Sequence, residues 1–237
     1  MLAGGEQRGS AVILARASGG TWLVTNRHVV EGESQVCVRT ADGRLWPALK
    51  RLPTKGGGLD VAFLWLAGAA DLPLARLAAP AKASGQPWGF PLVTATGYPV
   101  REEPQQQQPA YRELAGLLLP LLPRPLEGGL QLATTAAVRK GMSGGGLFDD
   151  QGKLIGLNTT HADPLWSAPL REEDGTAVPA ERNRQLERVA LAIPLSRFLP
   201  LLAALLPPGS AVPAAPLAPS PPGKPPAGAP VCAAALW

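Results

Sequence analysis

The chain has 237 residues, of which 46% are apolar and 17% charged; 22 Lys and Arg against 18 Asp and Glu give a net charge of +4. That length can bury a real core as one large all-β domain or two small ones, and the composition excludes a disordered chain. The basic residues are scattered, with no run that would mark a nucleic-acid surface, and no His/Cys group has metal-ligand spacing, so neither nucleic acid nor a metal or other cofactor is expected.

The first half reads as short strands joined by tight turns. "AVILA" (11–15) and "TWLVT" (21–25) flank "RASGG", and "QVCVR" (35–39) and "LWPAL" (45–49) flank "TADGR", whose Asp42-Gly43 pair is the stronger hairpin signal. "DVAFLWLA" (60–67) is a further strand, and its near-continuous apolar run predicts burial on both faces. An Ala- and Pro-rich stretch, 71–86, joins the halves.

The second half continues in the same style, with strands expected at 91–99, 130–138, 145–149, 153–159 and 188–194. Two polar, Pro-bearing inserts, 101–113 with its four-glutamine run and 169–185, are expected to be surface loops. "PLSRFLPLLAALL" (194–206) predicts a short terminal helix with apolar residues on one side, even with Pro200 inside it. The apolar runs 114–123 and 198–208 are too short and too proline-broken to span a bilayer. From 207 to 230 ten of 24 residues are proline, a composition that builds no packed core and predicts a semi-extended tail. Many short strands without βαβ alternation predict an all-β, two-barrel architecture: an N-terminal barrel over 1–85, a C-terminal barrel and helix over 86–206, and a disordered tail over 207–237.

The two cysteines cannot make a disulfide framework. Cys37 alternates with apolar neighbours and reads as a small core residue, and Cys232 falls in the tail.

The chemistry centres on "KGMSGGGLFDDQGKLIGLNTT" (140–160). Four glycines, Gly141, Gly144, Gly145 and Gly146, surround Ser143, which marks a backbone of unusual dihedrals or close approach. The serine is a nucleophile or a turn residue on this pattern alone. A hydroxyl nucleophile needs a base within hydrogen-bond reach, most often histidine, and a group to orient that base. The chain has two histidines: His28 in "LVTNRHVVEG", just after a strand of the first half, and His161 in "LNTTHADP".

"LVTNRHVV" resembles the histidine motif of chymotrypsin-fold serine proteases, in particular the bacterial HtrA/Deg branch. "GMSGGGLFDDQGKLIGLNT" is similar to that family's serine block, "DVAFLWL" to its aspartate strand, "VTATGYP" to the strand before the serine, and "VALAIPLS" to its closing strand. The matches run in family order from Gly9 to about Leu206. The resemblance implies a serine endopeptidase with His28, Asp60 and Ser143 as its triad, the N–H groups of Gly141 and Ser143 as its oxyanion hole, and polypeptides as substrates. It also implies that Ala137 lies at the base of the primary pocket and that Asn158, Thr159 and Thr160 form its wall. None of these is acidic, so small or aliphatic side chains are expected there, with His161 a solvated loop residue or a lining of the same cleft.

Two other readings compete. "GMSGG" also satisfies G-x-S-x-G, the nucleophile elbow of α/β-hydrolases, but that elbow needs a strand-to-helix turn and the partner order serine, acid, histidine. A catalytically silent protease-fold module that binds peptides or protein partners is the second reading. The match also has departures. Met142 stands where many relatives carry Asp or Asn, which argues against activation by a freed N-terminus, and Gly146 replaces a more usual Pro or Ala. Only eight residues precede Gly9, which predicts an unpaired edge on the first barrel or a start upstream of Met1. The opening residues contain no leader signal, and compartment and oligomeric state stay open. Relatives usually carry a PDZ domain after the protease, and the segment after Leu206 does not resemble one.

Overall fold

The structure is a computed structural model that describes residues 2–4, 7–17, 19–53, 58–79, 90–100, 110–162, 169–206 and Cys232. The polyglutamine part of the first insert, residues 80–86 of the joining stretch and all of the tail but Cys232 lie outside the described residues.

The first half is a seven-stranded antiparallel sheet. Its strands are β1 (Leu2–Gly4), β2 (Gln7–Gly9), β3 (Val12–Ala17), β4 (Gly20–Thr25), β5 (Val36–Arg39), β6 (Leu45–Arg51) and β7 (Ala62–Ala67), in spatial order β2-β1-β5-β6-β7-β4-β3. The second half is a closed six-stranded barrel. Its strands are β8 (Leu92–Gly97), β9 (Arg112–Leu119), β10 (Leu132–Thr134), β11 (Gly146–Asp149), β12 (Leu154–Thr160) and β13 (Ala190–Pro194). Among the described residues three α-helices complete the fold: α1 (Arg27–Val30), α2 (Ala180–Leu186) and α3 (Leu195–Ala203). The all-β, two-barrel class expected from the sequence is the fold observed, with its short C-terminal helix.

Apolar burial follows the strand pattern. β4 is buried at every position and β7 at four of its six, as its unbroken apolar run predicts. One core cluster joins the halves: Leu14, Val24 and Phe63 of the first sheet pack with Leu126, Leu130 and Ile193 of the second half and with Phe198 and Leu202 of α3. Truncating a fully buried phenylalanine such as Phe198 typically costs about 3–5 kcal/mol.

The structure adds to or departs from the sequence expectations at four places. β1 pairs with β5 (Leu2↔Val38, Ala3↔Cys37), so residues before Gly9 supply strands to the first sheet, whose terminal strands among the described residues are β2 and β3. The run 114–123 is largely strand: β9 pairs with β8 from Leu92↔Leu117 to Gly97↔Arg112. Its three consecutive leucines after Gly116 hide the period-2 alternation, and Gly116 marks a close approach, since a Cβ there would lie 2.2 Å from the Ala136 nitrogen. Part of the second insert forms α2, which shows no apolar periodicity of its own. It is tied down from outside, where the Leu170 N–H donates to Asn183 Oδ1 at 2.9 Å and Leu186 is buried. Finally, Cys37 is buried but not a free thiol: it is disulfide-bonded to Cys232, 195 residues away, with a Cα–Cα distance of 5.8 Å. Local alternation reveals burial at Cys37 and carries no information about so distant a partner.

Candidate active site

Strand register brings the first two groups together. β4 and β7 pair without a slip from Gly20↔Ala67 to Thr25↔Ala62, so the residues leaving β4 lie beside those entering β7. His28, on the single turn of α1, and Asp60, two residues before β7, therefore meet. His28 Nδ1 lies 2.6 Å from Asp60 Oδ2, and the His28 backbone N–H donates to Asp60 Oδ1 at 2.9 Å. Asn26 is fully buried and holds the aspartate from behind, its Nδ2 donating to the Asp60 carbonyl at 2.9 Å and to Thr159 Oγ1 at 3.0 Å. The Asp60 N–H donates to the Gly128 carbonyl at 3.0 Å, so the acid is anchored to the second half as well.

Ser143 comes from the loop between β10 and β11. That loop has no ladder partner, and its conformation requires glycine: φ is +92° at Gly141 and +83° at Gly144. A Cβ on Gly144 would stand 2.2 Å from the Ser10 carbonyl oxygen. The peptide planes of the loop can be accounted for one by one. The Lys140 carbonyl accepts from the Val100 N–H at 2.8 Å and the Met142 carbonyl from the Gly145 N–H at 2.9 Å. In a trans peptide the N–H points opposite to its carbonyl. The N–H of Gly141 therefore points away from Val100 and that of Ser143 away from Gly145. Among the hydrogen bonds of the described residues neither has an acceptor. Met142 is fully buried and packs with Val93 and Ala95 in the second barrel.

Both His28 and Ser143 line one cavity of about 550 Å³. Lys140, Thr159, Thr160 and His161 stand around it, and its apolar lining is Leu170, Leu186, Val189 and Leu191, with Glu187 beside them. Thr159, Thr160 and His161 thus reach the same cavity as the serine. Asn158 does not line it: it is 1% exposed, and its Nδ2 donates to the carbonyls of Thr96 and Gly146 at 3.0 Å each. Ala137 is exposed and also outside the cavity lining. Of the apolar lining, Leu170 belongs to the second insert and Leu186 directly follows it, where a surface-loop reading gave no sign of a lining. Ser143 Oγ donates to the Thr159 carbonyl at 3.0 Å. Among the described residues no cluster of three metal-ligating side chains occurs, and no helix is long and apolar enough to cross a membrane.

A two-barrel fold with histidine and aspartate paired in one half and a glycine-framed serine in the other defines a class, and residues 9–157 match its family, described as trypsin-like peptidase domain. The chain belongs to that family. Within it, the sequence is similar to the HtrA-type proteases that the motifs resemble. It is 29% identical over 171 residues to serine endoprotease DegS of Escherichia coli (strain K12), covering 72% of this chain and 44% of DegS. It is also 29% identical over 174 residues to periplasmic serine endoprotease DegP of Salmonella typhimurium, covering 68% of this chain and 32% of DegP. The chain thus spans less than half the length of these curated relatives. Among solved structures, the HtrA-type protease AlgW with a tripeptide aligns with a TM-score of 0.58 and 25% identity, over 88% of this chain and 60% of AlgW.

Proposed function

We propose that the chain is a serine endopeptidase that hydrolyses peptide bonds through His28, Asp60 and Ser143 and an acyl-enzyme intermediate. The observation that carries this reading is that His28, oriented by Asp60, and Ser143 line the same cavity.

In the proposed reaction Ser143 Oγ attacks the scissile carbonyl carbon while its proton passes to His28 Nε2. The tetrahedral oxyanion is received by the N–H groups of Gly141 and Ser143, where loss of one donor typically lowers the rate roughly a hundred- to a thousandfold. The imidazolium, held by Asp60, gives its proton to the leaving amine as the C–N bond breaks, and water repeats the sequence on the acyl-enzyme. Before attack, Ser143 Oγ exchanges the Thr159 carbonyl for His28 by rotation about χ1; such contacts commonly tighten only when substrate binds. The side chain preceding the cut enters the cavity beside Leu170, Leu186, Val189 and Leu191, a lining that favours aliphatic groups.

Polypeptides are the proposed substrates, in keeping with the tripeptide held by AlgW. The hydrogen bond from Ser143 to Thr159 favours one alternative, a silent module that binds peptides without cutting them. A fluorophosphonate probe separates the two. Mass spectrometry is expected to find the adduct on Ser143, and its formation is expected to require His28 and to vanish in Ser143→Ala. Absence of labelling in folded protein that still binds peptides would establish the silent module instead.

A further inference from the structure

Resting on the protease reading, the inference concerns Ser10, a residue of the first half that none of the site chemistry above uses. We propose that Ser10 is a positioning residue for the oxyanion hole: its hydroxyl fixes the one peptide plane lying between the two N–H donors.

Ser10 follows β2 and is 1% exposed. Its Oγ donates to the Gly141 carbonyl at 2.9 Å and accepts from the Tyr98 N–H, also at 2.9 Å. Its own N–H donates to the Ser143 carbonyl at 2.8 Å, and its carbonyl accepts from Thr25 Oγ1 at 2.7 Å. Three of these bonds cross from the first half to the second.

The peptide planes from 140 to 144 show what the hydroxyl does. The plane carrying the Gly141 N–H is held by Val100, and the plane carrying the Ser143 N–H is held by Gly145. The plane between them, Gly141 to Met142, is held at its N–H by the Arg139 carbonyl at 3.0 Å and at its carbonyl by Ser10 Oγ. Gly141 has a positive φ and no side chain to restrain it, so rotation of this middle plane is the easy way for the loop to lose its shape. Turning it changes φ and ψ on both sides and with them the relative direction of the two donors, on which the proposed oxyanion hole depends. Because Ser10 Oγ both accepts and donates, its two bonds polarise one another along the relay Tyr98 N–H to Ser10 to Gly141 carbonyl. The hydroxyl touches neither substrate nor reacting atoms. Its contribution is geometric, and displacements of the order of 1 Å at a catalytic group can cost about a hundredfold in rate.

The test is Ser10→Ala in the full chain, measured in three ways: steady-state hydrolysis of a peptide amide, affinity for a peptide boronate that mimics the tetrahedral state, and amide hydrogen exchange over 140–145. The expected result is a fall in kcat of about ten- to a hundredfold with KM within about twofold. Boronate affinity should fall by the same factor, and exchange over 140–145 should accelerate while that over 20–30 stays at the parental rate. Ser10→Cys, which keeps the volume but offers only a weak donor, should lie between the two and serves if the alanine variant does not fold. An unchanged kcat, a change confined to KM, or parental exchange in the loop would overturn the assignment. If the parent itself hydrolyses nothing, the protease reading fails, and the exchange measurement still decides whether Ser10 holds the loop.

Discussion

The two halves contribute to the site in opposite ways. In the first, His28 and Asp60 meet because β4 and β7 pair without a slip over six residues; the meeting is a by-product of ordinary ladder geometry. In the second, Ser143 sits on a loop with no ladder partner, shaped by positive φ at Gly141 and Gly144 and by hydrogen bonds from distant segments. A ladder tolerates many sequences as long as its register survives, whereas the serine loop has little freedom at any of its positions. The proton-handling part of the site is thus carried by robust structure and the charge-receiving part by demanding structure. The halves should respond differently to substitution.

The largest effect is expected in the first half. Asp60→Asn leaves the ladder and the shape of the pair in place but favours the wrong imidazole tautomer, so kcat should fall about ten-thousandfold with KM little changed, as steady-state peptide hydrolysis would reveal. Gly141→Ala comes next. A Cβ there would stand 2.7 Å from both the Tyr98 carbonyl oxygen and the Val100 nitrogen, on a residue with φ of +92°. Its kcat should fall about a hundred- to a thousandfold, and, unlike Asp60→Asn, it should also lose roughly 1–3 kcal/mol of stability in urea unfolding. Parental stability in Gly141→Ala would break the contrast between a tolerant and a demanding half. The smallest effect on catalysis is expected from Cys37→Ser, which removes a disulfide that contacts none of the site residues. Unfolding under non-reducing conditions should show a loss of roughly 2–5 kcal/mol, with kcat/KM unchanged at temperatures where the variant stays folded. A matching loss of activity would mean that β5, and not only the β4–β7 ladder, sets the geometry of the site.

The same contrast explains what could be read without coordinates. His28, Asp60 and Ser143 stand in short motifs whose residue types report their chemistry, and the strands of the first half show the turns and apolar runs that define them. Ser10 and Asn26 could not be found that way. Both act on backbone groups or side chains of segments remote in the chain, Ser10 on a carbonyl 131 residues away and Asn26 on Thr159, 133 residues away. Neither residue type distinguishes a buried hub from a turn. The cavity lining was hidden for a related reason: Leu170 sits in a polar insert and Leu186 just after it, and they become part of the site only when α2 packs beside the barrel. Cys37 shows the limit most plainly, since alternation revealed its burial and nothing about its bond.

That bond has a topological consequence. Joining positions 37 and 232 closes the greater part of the chain into a covalent ring that contains Asp60, Ser143 and both inserts. A single cut anywhere inside the ring opens it without releasing a piece, so a peptidase that nicked its own inserts would keep both products attached through sulfur. Such a nick would run as one band on a non-reducing gel and as two after reduction, and the cut molecule would retain the means to hold its halves, and with them its active site, together.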